Sequence, residues 1–456
     1  MKNMTLENIA KACAGIYYGK EEDLKRTITS ITTDSRVVEA GALFAPIVGE
    51  RADGHDYIDS VIQKGGICTL SEKMLEQADY PYILVESTLQ ALKDIAKFYL
   101  QQLSIPVIGV SGSVGKTSTK EMIASVLEEK YCVLKTLGNF NNELGLPLTI
   151  FRIRDQHEVA VLEMGISDFG EMSRLAEIAK PDIMVITNIG MCHLDNLKDR
   201  DGVFRAKTES FAYLKETGRV ILNGEDDKLV QVDEVKGMAP IFFGYKENFD
   251  YYAKNVVFGG LKGMECEICT KDGSFLAHTM IPGEHMIYNM LAATAVGRCL
   301  GLSVEEIKKG IASCQALGGR NHIIQAKDRV VLDDCYNANP VSMRAGLDVL
   351  ANTPGRKVAI LGDMGELGEN TKQLHYEVGN YAGECDIDLI LLVGDLAEHM
   401  YQGIKAVKES QQVYYFKNKK ELLSQMEGLL KKEDSILVKA SHFMGFDEIV
   451  TALTNE

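Results

Sequence analysis

The sequence predicts an α/β protein built from three domains. Its 456 residues exceed the usual size of one domain. A glycine-rich turn at residues 109–117 follows an apolar strand and precedes a helix, and apolar strands alternate with helices both before and after residue 315. We therefore expect a small N-terminal α/β domain at 1–100, a central doubly wound P-loop sheet at 101–315 and a C-terminal Rossmann-like domain at 316–456.

The N-terminal stretch predicts a small mixed module. It opens with a helix-like segment at Thr5–Ala14 and closes with a strand at Tyr82–Val85. Between them the pattern indicates strands at Ser30–Thr33 and Ala42–Pro46 and a helix near Asp59–Lys64. Because nothing here repeats the glycine-rich turn, we interpret this stretch as a module without a phosphate cradle.

Two series of apolar strands predict the sheets of the larger domains. Continuous apolar strands between amphipathic helices favour parallel sheets, whereas the alternating residues 241–281 are typical of an antiparallel edge. A helical run at Tyr288–Leu300 closes the central stretch. The predicted strands are Val107–Val110, Val159–Met164, Ile183–Thr187, Arg219–Asn223, Val330–Asp334, Lys357–Leu361, Leu389–Val393 and Ser435–Val438.

The glycine-rich turn predicts a phosphate cradle. The run GVSGSVGKT leads into a predicted helix at Lys120–Lys130, whose N-terminal N–H groups and dipole would face an anion. Lys116 would supply a point charge, and the Thr117 hydroxyl suits Mg²⁺. The residues predicted to contact the phosphates of a nucleotide are Gly112, Ser113, Gly115, Lys116, Thr117 and Ser118.

The turn departs from the standard pattern at one position. Glycine is expected five residues before Gly115, and this chain has Val110 there. We interpret the turn as a variant loop defined by Gly109 and Gly112. The alternative is a glycine-rich turn between a strand and a helix that binds no ligand.

Composition excludes several classes of function. A net charge of −16 argues against a general nucleic-acid or anionic-membrane surface. No run reaches the roughly 18 apolar residues of a membrane span, and the first 15 residues lack the apolar core of a signal peptide. Ten scattered cysteines predict reduced thiols in a cytoplasmic protein. Cys266 and Cys269 form a CxxC, but the surrounding strand-like alternation and the lack of a second pair nearby argue against a metal site.

Polar residues at predicted strand ends suggest a reaction site, because ligands of open α/β sheets gather there. Glu163 ends one strand and could help to hold Mg²⁺, or it could be a solvated acid. His193 follows the next strand, where a structural role is the alternative. Lys207 is expected early on a helix, where a surface lysine is the alternative. The segment DDCYNANP, beginning at Asp333, carries more polar groups than one helix cap requires.

These observations alone predict an ATP-dependent enzyme with two α/β domains that face each other across a cleft. Beyond them, blocks of sequence resemble the Mur ligases in family order over nearly the whole chain. The blocks include 33–55 (TDSRVVEAGALFAPIVGERADGH), 109–122, 136–147, 162–172, 187–195, 206–210, 282–293, 333–347, 361–368 (LGDMGELG) and 437–444.

The resemblance implies a cytoplasmic, monomeric enzyme of peptidoglycan synthesis that forms a C–N bond. Such ligases use ATP to phosphorylate the peptide carboxylate of a UDP-sugar, and an amine then attacks the acyl phosphate. The pair YNANP and GDMGELG is most similar to members that join D-alanyl-D-alanine to UDP-N-acetylmuramoyl-tripeptide. The expected cofactors are ATP and two Mg²⁺ ions.

The resemblance also implies roles for individual residues. Lys116, Lys207, His193 and Glu163 would be catalytic, with Thr117, Glu163, His193 and Lys207 around the metal ions and a carbamate on Lys207. Adding CO₂ would convert that ammonium into an anion able to bind or orient Mg²⁺. The residues expected beside the adenine, ribose or phosphates are His285, Asn289, Arg320, Asn337 and Asp363. Those expected toward the UDP-sugar substrate are Ser35, Arg36, Asn139 and Asn142.

Two departures from the family keep other functions open. Met286 stands where asparagine is usual, and His442 stands where arginine is usual. The second change removes an arginine fork that could contact the dipeptide. The alternatives are a divergent relative with another amine acceptor and a P-loop ATPase without ligase activity; folylpolyglutamate synthase is disfavoured by the N-terminal DSR and DGH segments.

Overall fold

The computed structural model of the chain describes residues 1–49 and 52–454 and contains three β-sheets. Residues 50 and 51, within the 33–55 block, and residues 455 and 456, at the end of the predicted third domain, lie outside the described residues. The predicted α/β class with three sheet-based units is confirmed. No helix in the described part of the chain combines the length and apolar content of a membrane span.

The N-terminal sheet has five short strands in the order β1-β5-β4-β3-β2, with only the β1–β5 pair antiparallel. Two strands and one long helix of this unit were absent from the sequence prediction: β1, β4 and α3. The elements are α1 (Leu6–Ala12), β1 (Ile16–Tyr18), β2 (Ile31–Thr32), β3 (Leu43–Phe44), α2 (Ile58–Gln63), β4 (Cys68–Ser71), β5 (Tyr82–Leu84) and α3 (Thr88–Gln101).

Helix α3 connects this unit to the next. Ser87 caps its N-terminus by accepting the N–H of Gln90, and its apolar face is buried against the N-terminal sheet and the neighbouring domain. On its polar side, Lys93 Nζ lies 3.0 Å from Glu143 Oε1 of the central domain. The helix therefore contributes both to the first core and to the contact with the second domain.

The central sheet has nine strands in the order β7-β8-β6-β9-β10-β11-β12-β13-β14. It is parallel as far as β12 and ends in an antiparallel β12–β13–β14 meander, as the alternating sequence predicted. The strands are β6 (Val107–Ser111), β7 (Val133–Lys135), β8 (Val159–Glu163), β9 (Ile183–Ile186), β10 (Arg219–Asn223), β11 (Ile241–Gly244), β12 (Tyr251–Phe258), β13 (Met264–Thr270) and β14 (Gly273–Thr279).

The helices of this domain cover both faces of the parallel strands. They are α4 (Lys116–Leu127), α5 (Gly145–Ile150), α6 (Glu171–Ala179), α7 (Leu194–Leu197), α8 (Arg200–Thr208), α9 (His285–Cys299) and α10 (Val304–Ser313). The chain runs from β6 to β7 and β8 on one side and then crosses to β9 on the other side of β6. This reversal leaves a crevice at the carboxyl ends of β6, β8 and β9, where open α/β sheets bind ligands.

The C-terminal sheet has six strands in the order β15-β16-β20-β17-β18-β19, with an antiparallel edge at β15. A hydrophobic core lies on each face of this sheet. Its elements are β15 (His322–Gln325), β16 (Val330–Asp333), α11 (Pro340–Ala351), β17 (Lys357–Gly362), α12 (Thr371–Glu384), β18 (Leu389–Val393), α13 (Ala397–Val407), β19 (Val413–Phe416), α14 (Lys419–Leu429), β20 (Ser435–Lys439) and α15 (Asp447–Thr454).

Candidate active site

A cavity of about 1000 Å³ lies between the central and C-terminal domains and is named here the interdomain cavity. Its central-domain wall consists of the glycine-rich turn, the ends of β8, β9 and β10, and the start of α9. Its C-terminal wall consists of the segment after β16, the start of α11, and the loop after β17. The volume is at the upper end of the range for small-molecule sites.

Two glycines shape the turn at the base of the cavity. Gly115 has φ +81° and directly precedes α4, and Gly112 has φ +148° and packs against the Thr187 side chain. A side chain at Gly112 would collide with Thr187, and both φ values disfavour other residues. The two glycines therefore let the backbone turn tightly into the helix.

Gly109 does not belong to the loop, which corrects the interpretation of its role. It lies inside β6, and a Cβ there would stand 2.8 Å from Met184 Sδ and 3.0 Å from Met164 Sδ. Its function is close packing of the strand. Val110, at the position of the usual first glycine, is a fully buried strand residue.

Lys116 and the first turn of α4 form the phosphate cradle. The first-turn N–H groups of a helix have no intrahelical acceptor and carry the positive end of its dipole. Lys116 Nζ lies 2.9 Å from the Gly112 carbonyl oxygen and so bridges the loop. The adjoining Thr117 is buried and lines the interdomain cavity. An anion at this point would meet both N–H donors and an ammonium group.

The segment after β9 clamps the turn in place. Asn188 accepts the N–H of Ser113 at its carbonyl and the N–H of Val114 at Oδ1, and its Nδ2 donates to the Val114 carbonyl. Gly190 N donates to Ser113 Oγ at 2.8 Å. Because two N–H groups of the loop are used in this way, the amides at the start of α4 remain as the anion-binding donors.

Glu163 ends β8 and is buried at the cavity wall. Its Oε1 accepts the Asn141 Nδ2 donor at 2.8 Å, and the buried Lys120 ammonium lies 4.0 Å from Oε2. Within residues 1–49 and 52–454, Glu163 Oε2 has no hydrogen-bond partner. A buried carboxylate oxygen without a partner is costly, so it fits a metal ligand.

His193 follows β9 in a left-handed backbone conformation with φ +51°. Its Nδ1 lies 2.8 Å from Oε2 of Glu366, in the loop after β17 of the C-terminal domain. Both residues line the interdomain cavity. The predicted histidine is thus placed beside the cradle, and its orientation is set by a carboxylate from the opposite wall.

The residues present fit a divalent cation only in part. Among the described residues, no group of three or more His, Cys, Asp or Glu side chains could hold a metal ion by itself. Glu163, Thr117 and His193 all line the interdomain cavity. A Mg²⁺ site with one or two protein ligands completed by nucleotide phosphates and water is the usual arrangement for such chemistry.

Lys207 lies in the last turn of α8, so the expectation of an early helical position was wrong. It is also not a surface lysine, because only 1% of it is exposed. Burial, with a further contribution from the nearby Lys116 charge, lowers the pKa of Lys207 to about 8. The amine therefore loses its proton more readily than that of an exposed lysine, which favours reaction with an electrophile.

Two of the residues predicted around the nucleoside lie in the cavity wall near the start of α9. His285 is buried, and its Nε2 lies 2.8 Å from Asn321 Nδ2. Burial lowers the His285 pKa, so the ring is neutral. Asn289 Oδ1 accepts the Thr119 hydroxyl at 2.7 Å, and Met286 packs in the core beside it with Sδ 3.2 Å from Asn289 Nδ2. Met286, which stands where asparagine is usual in the family, is therefore packed into the core at the start of α9.

The C-terminal wall carries Arg320, Asn337 and the ring of Tyr336, which contacts both Arg320 and His442. The Arg320 guanidinium lies 4.0 Å from the centre of the Tyr336 ring, and the His442 ring lies 5.4 Å from it. The histidine that replaces the usual arginine thus contacts Tyr336 with its ring tilted by 36° from the tyrosine plane. Arg320 supplies the positive charge on this side of the cavity.

The structure does not bring every predicted residue to the cavity. The described lining does not include Lys207, Asp363, Ser35 or Arg36, nor Gly112 at the base of the turn. Asp363 Oδ1 instead accepts the N–H of Ala397 at the start of α13, as a helix-capping acid does. Arg36 forms a two-point contact with Asp34 in the N-terminal domain.

Asn139 and Asn142 do line the cavity. Asn142 Oδ1 also accepts the N–H groups of Leu144 and Gly145, so it caps α5.

Cys266 and Cys269 are buried in β13 and project to opposite faces of the strand, as residues three apart do. A shared metal site at this CxxC is therefore absent from the described structure.

Sequence reasoning missed several cavity residues whose importance depends on contacts between distant segments. Lys120 and Asn141 support Glu163, and Lys439 Nζ lies 2.6 Å from Asp334 Oδ2. The acidic cluster after β10 could have been found from its position at a strand end. The missed residues are Lys120, Asn141, Asn188, Arg200, Glu225, Asp226, Asp227, Glu366 and Lys439.

The fold and the cavity define a nucleotide-dependent α/β enzyme whose active site lies between two domains. Three family models match the chain: "Mur ligase family, catalytic domain" over residues 27–100, "Mur ligase middle domain" over 110–297, and "Mur ligase, glutamate ligase domain" over 319–442. The chain is 35% identical over 458 aligned residues to the UDP-N-acetylmuramoyl-tripeptide–D-alanyl-D-alanine ligase of Bacillus subtilis, covering 99% of each.

Solved structures agree with the sequence comparison. A crystal structure of MurF from Acinetobacter baumannii superimposes with a TM-score of 0.91 at 32% identity, covering 99% of each chain. MurF from Thermotoga maritima in complex with ADP gives a TM-score of 0.82 at 30% identity, covering 93% of this chain and 96% of that one. The chain belongs to the Mur ligase family.

Proposed function

We propose that this enzyme joins D-alanyl-D-alanine to the tripeptide carboxylate of UDP-N-acetylmuramoyl-tripeptide with ATP, giving the pentapeptide precursor of peptidoglycan. The observation that carries the proposal is the interdomain cavity itself, which brings the cradle of α4, the partnerless Glu163 oxygen and the C-terminal wall together. Its relatives named for this reaction match over nearly their full length.

In this proposal the three domains divide the substrates. The N-terminal domain at 1–100, with Ser35 and Arg36, contacts the UDP-sugar. The central domain at 101–315 binds ATP, and the C-terminal domain at 316–456 faces ATP and the dipeptide. Asn139 and Asn142, which line the cavity, would contact the UDP-sugar substrate.

The chemistry requires an electrophile, because an ionised carboxylate resists attack by an amine. Transfer of the γ-phosphoryl group of ATP to the peptide carboxylate forms an acyl phosphate and releases ADP. The dipeptide amine then attacks the acyl carbon, and phosphate leaves from the tetrahedral intermediate. Lys116 and the amides of α4 stabilise charge on the transferred group, and the surrounding walls exclude water.

Divalent cations supply further charge stabilisation when bound. Glu163, His193 and Thr117 would hold them, and among the described residues Glu163 Oε2 is a buried carboxylate oxygen without a hydrogen-bond partner. Around the nucleoside, His285, Asn289, Arg320 and Asn337 would contact ATP. Asp363 would reach it only if its cap on α13 is given up.

Lys207 fits a carbamate. Its neutral amine would attack CO₂ to form an N–C bond and lose one proton, leaving a carbamate anion in place of an ammonium. The lowered pKa of about 8 makes the amine available, and the resulting negative charge would offset the nearby Lys116 ammonium. Carbamate formation should therefore increase as pH rises through 8.

Phosphate release with omitted substrates tests the proposal. The complete mixture should contain ATP, Mg²⁺, the UDP-sugar tripeptide with lysine or diaminopimelate as third residue, and D-alanyl-D-alanine. We expect release to depend on both the tripeptide and the dipeptide, with pentapeptide as the product. Release that ignores both would indicate a P-loop ATPase, and release with a different amine only would indicate a divergent ligase.

A further inference from the structure

A histidine–carboxylate pair joins the C-terminal domain to the predicted metal ligand of the central domain. His193 Nδ1 lies 2.8 Å from Glu366 Oε2. His193 follows β9 of the nine-stranded sheet, and Glu366 follows β17 of the six-stranded sheet. The contact therefore exists only when the two domains face each other across the interdomain cavity.

Both residues adopt a backbone conformation that their side chains disfavour. The φ angle is +51° at His193 and +60° at Glu366, in the left-handed region that glycine usually occupies. Such residues tend to cluster at functional sites, where the surrounding structure maintains them. Here the two disfavoured conformations direct the side chains toward each other.

The loop that carries Glu366 is anchored at its start. Met364 N donates to the ring nitrogen Nε2 of the buried His375, and Gly365 N donates to Ser441 Oγ. Glu366 is the exposed residue that follows these two anchors, with 67% of its side chain accessible. The carboxylate is thus presented by a fixed loop, while the side chain itself stays at the cavity surface.

The segment that carries His193 packs against the same loop. A Cβ at Gly368 would lie 3.5 Å from Asp195 Oδ1 and 3.6 Å from Leu194 Cβ, and Met191 packs against the C-terminal core. The ion pair therefore lies within a packed seam between the domains. Its geometry is supported on both sides by neighbouring contacts.

The contact with Glu366 determines which ring nitrogen of His193 is free to bind another group. A carboxylate at Nδ1 keeps the proton on that nitrogen, which leaves the lone pair of Nε2 for another partner. Histidines that bind metals usually donate their second ring nitrogen to a carboxylate or carbonyl, which fixes the tautomer and the ring plane. At His193 the carboxylate beside the second ring nitrogen is present, and the C-terminal domain supplies it.

We propose that Glu366 is a positioning residue that reaches across the domain interface and fixes His193 so that Nε2 faces a divalent cation in the interdomain cavity. The inference rests on the proposed role of His193 as a metal ligand. It adds that the residues of the central domain alone do not fix the orientation of His193 in the metal site. The carboxylate from the C-terminal wall completes it.

Binding of Mn²⁺ to the enzyme–ADP complex tests the inference without turnover. The affinity is measured by electron paramagnetic resonance for the wild type, Glu366→Ala, Glu366→Gln and the matched control Glu369→Gln, a neighbouring exposed acid of the same loop. Loss of a carboxylate behind a metal-bound histidine typically weakens metal binding about 10- to 100-fold. We expect weakening of about tenfold or more for Glu366→Ala, a smaller effect for Glu366→Gln because its carbonyl can still accept the Nδ1 proton, and none for Glu369→Gln.

Two further readouts separate positioning from a general structural role. The nitrogen coupling of a bound imidazole should be present in the electron spin echo of the wild type and reduced in Glu366→Ala. In a His193→Ala background, Glu366→Ala should have no further effect on Mn²⁺ affinity. Thermal unfolding checks that each variant is folded.

The inference is overturned if Glu366→Ala binds Mn²⁺ as tightly as the wild type, if its effect persists in the His193→Ala background, or if the wild type shows no imidazole coupling. A failure of the proposed function looks different. In that case Mn²⁺ affinities would follow the expected order while the UDP-sugar tripeptide and D-alanyl-D-alanine gave no amide product.

Discussion

Two of the side chains predicted to bind a metal ion, Glu163 and His193, are supported in opposite ways. Glu163 is buried, and both of its supports, Asn141 and Lys120, belong to its own domain. His193 lies at the edge of the cavity, and the carboxylate beside it comes from the other domain. One half of the site is therefore built into the central fold, and the other half depends on how the domains meet.

This difference suits an enzyme that must admit three substrates and then exclude water. The half formed by Glu163 and the α4 cradle can receive nucleotide before the domains close. The contact between His193 and Glu366 spans the cavity, so this half of the site forms only when the two domains are closed. Conformational closure that completes a catalytic site is a common means of protecting reactive intermediates.

The largest expected effect comes from the part that both halves share. Lys116→Ala removes the ammonium that bridges the loop at the start of α4. Loss of a preorganised charge at the transferring group costs on the order of 10³-fold in rate. The measurement is ADP formation with the tripeptide alone and with both substrates. Activity within tenfold of the wild type would remove Lys116 from phosphoryl transfer.

The second prediction concerns the buried amine of Lys207. Lys207→Ala should lower the ligation rate by about 10²-fold, since it removes the site of the proposed carbamate. Formate or acetate should restore part of the activity by occupying the vacated space. Lys271→Ala, at an exposed lysine of the β13–β14 turn, serves as the control. Full activity in Lys207→Ala, or a loss that no small carboxylate restores, would contradict the carbamate.

The third prediction compares the stability of the two halves. Lys120 is fully buried, donates to the Thr136 carbonyl at 2.6 Å and lies near two carboxylates. Removing one member of a buried charge pair costs about 3 kcal/mol, so Lys120→Met should lower the free energy of unfolding by that amount. Glu366→Gln alters an exposed pair and should cost less than about 1 kcal/mol. Urea unfolding of both variants measures the difference; equal losses would refute the contrast.

The fourth and smallest effect is a pH dependence in the loop that presents Glu366. Burial lowers the pKa of His375, whose Nε2 accepts the Met364 N–H while Nδ1 lies 2.6 Å from the Thr371 carbonyl. A lowered folded-state pKa means that the stabilisation is complete above the unfolded value of about 6.5 and is lost as pH falls below it. The wild type should therefore lose more stability between pH 7.5 and pH 5 than His375→Gln does.

Urea unfolding at the two pH values measures this effect, with His278→Gln as the control at a partly exposed histidine of β14 in the central domain. The control should retain the pH dependence of the wild type. If His375→Gln retains it as well, the ring does not couple protonation to the stability of the loop.

The sequence predicts features that depend on neighbouring residues in the chain and misses features that depend on contacts between distant segments. The strands β6, β8, β9 and β10 were predicted because each is a continuous apolar run, and Arg219–Asn223 matches the structure at both ends. Short strands such as β7, with three residues, carry too few residues for a periodic signal. Their pairing with neighbours creates them, and a single sequence does not contain that information.

The same distinction applies to the site. Lys116, Glu163 and His193 follow strands directly, so the rule for open sheets places them near one crevice. Glu366 and Lys120 were missed because their importance depends on which side chain lies opposite in space. Gly109 was misassigned because loop and packing glycines look alike in sequence, and only the sulfur atoms of Met164 and Met184 distinguish them.

The central claim is that one cation site is formed by Glu163 from within its own domain and by His193 with help from the other. Anomalous diffraction from crystals grown with Mn²⁺ and ADP tests this claim most directly. The account predicts a manganese peak within coordination distance of Glu163 Oε2 and His193 Nε2, with Glu366 on Nδ1. A peak bound by the phosphates alone, with His193 turned away while the domains are closed, would contradict it.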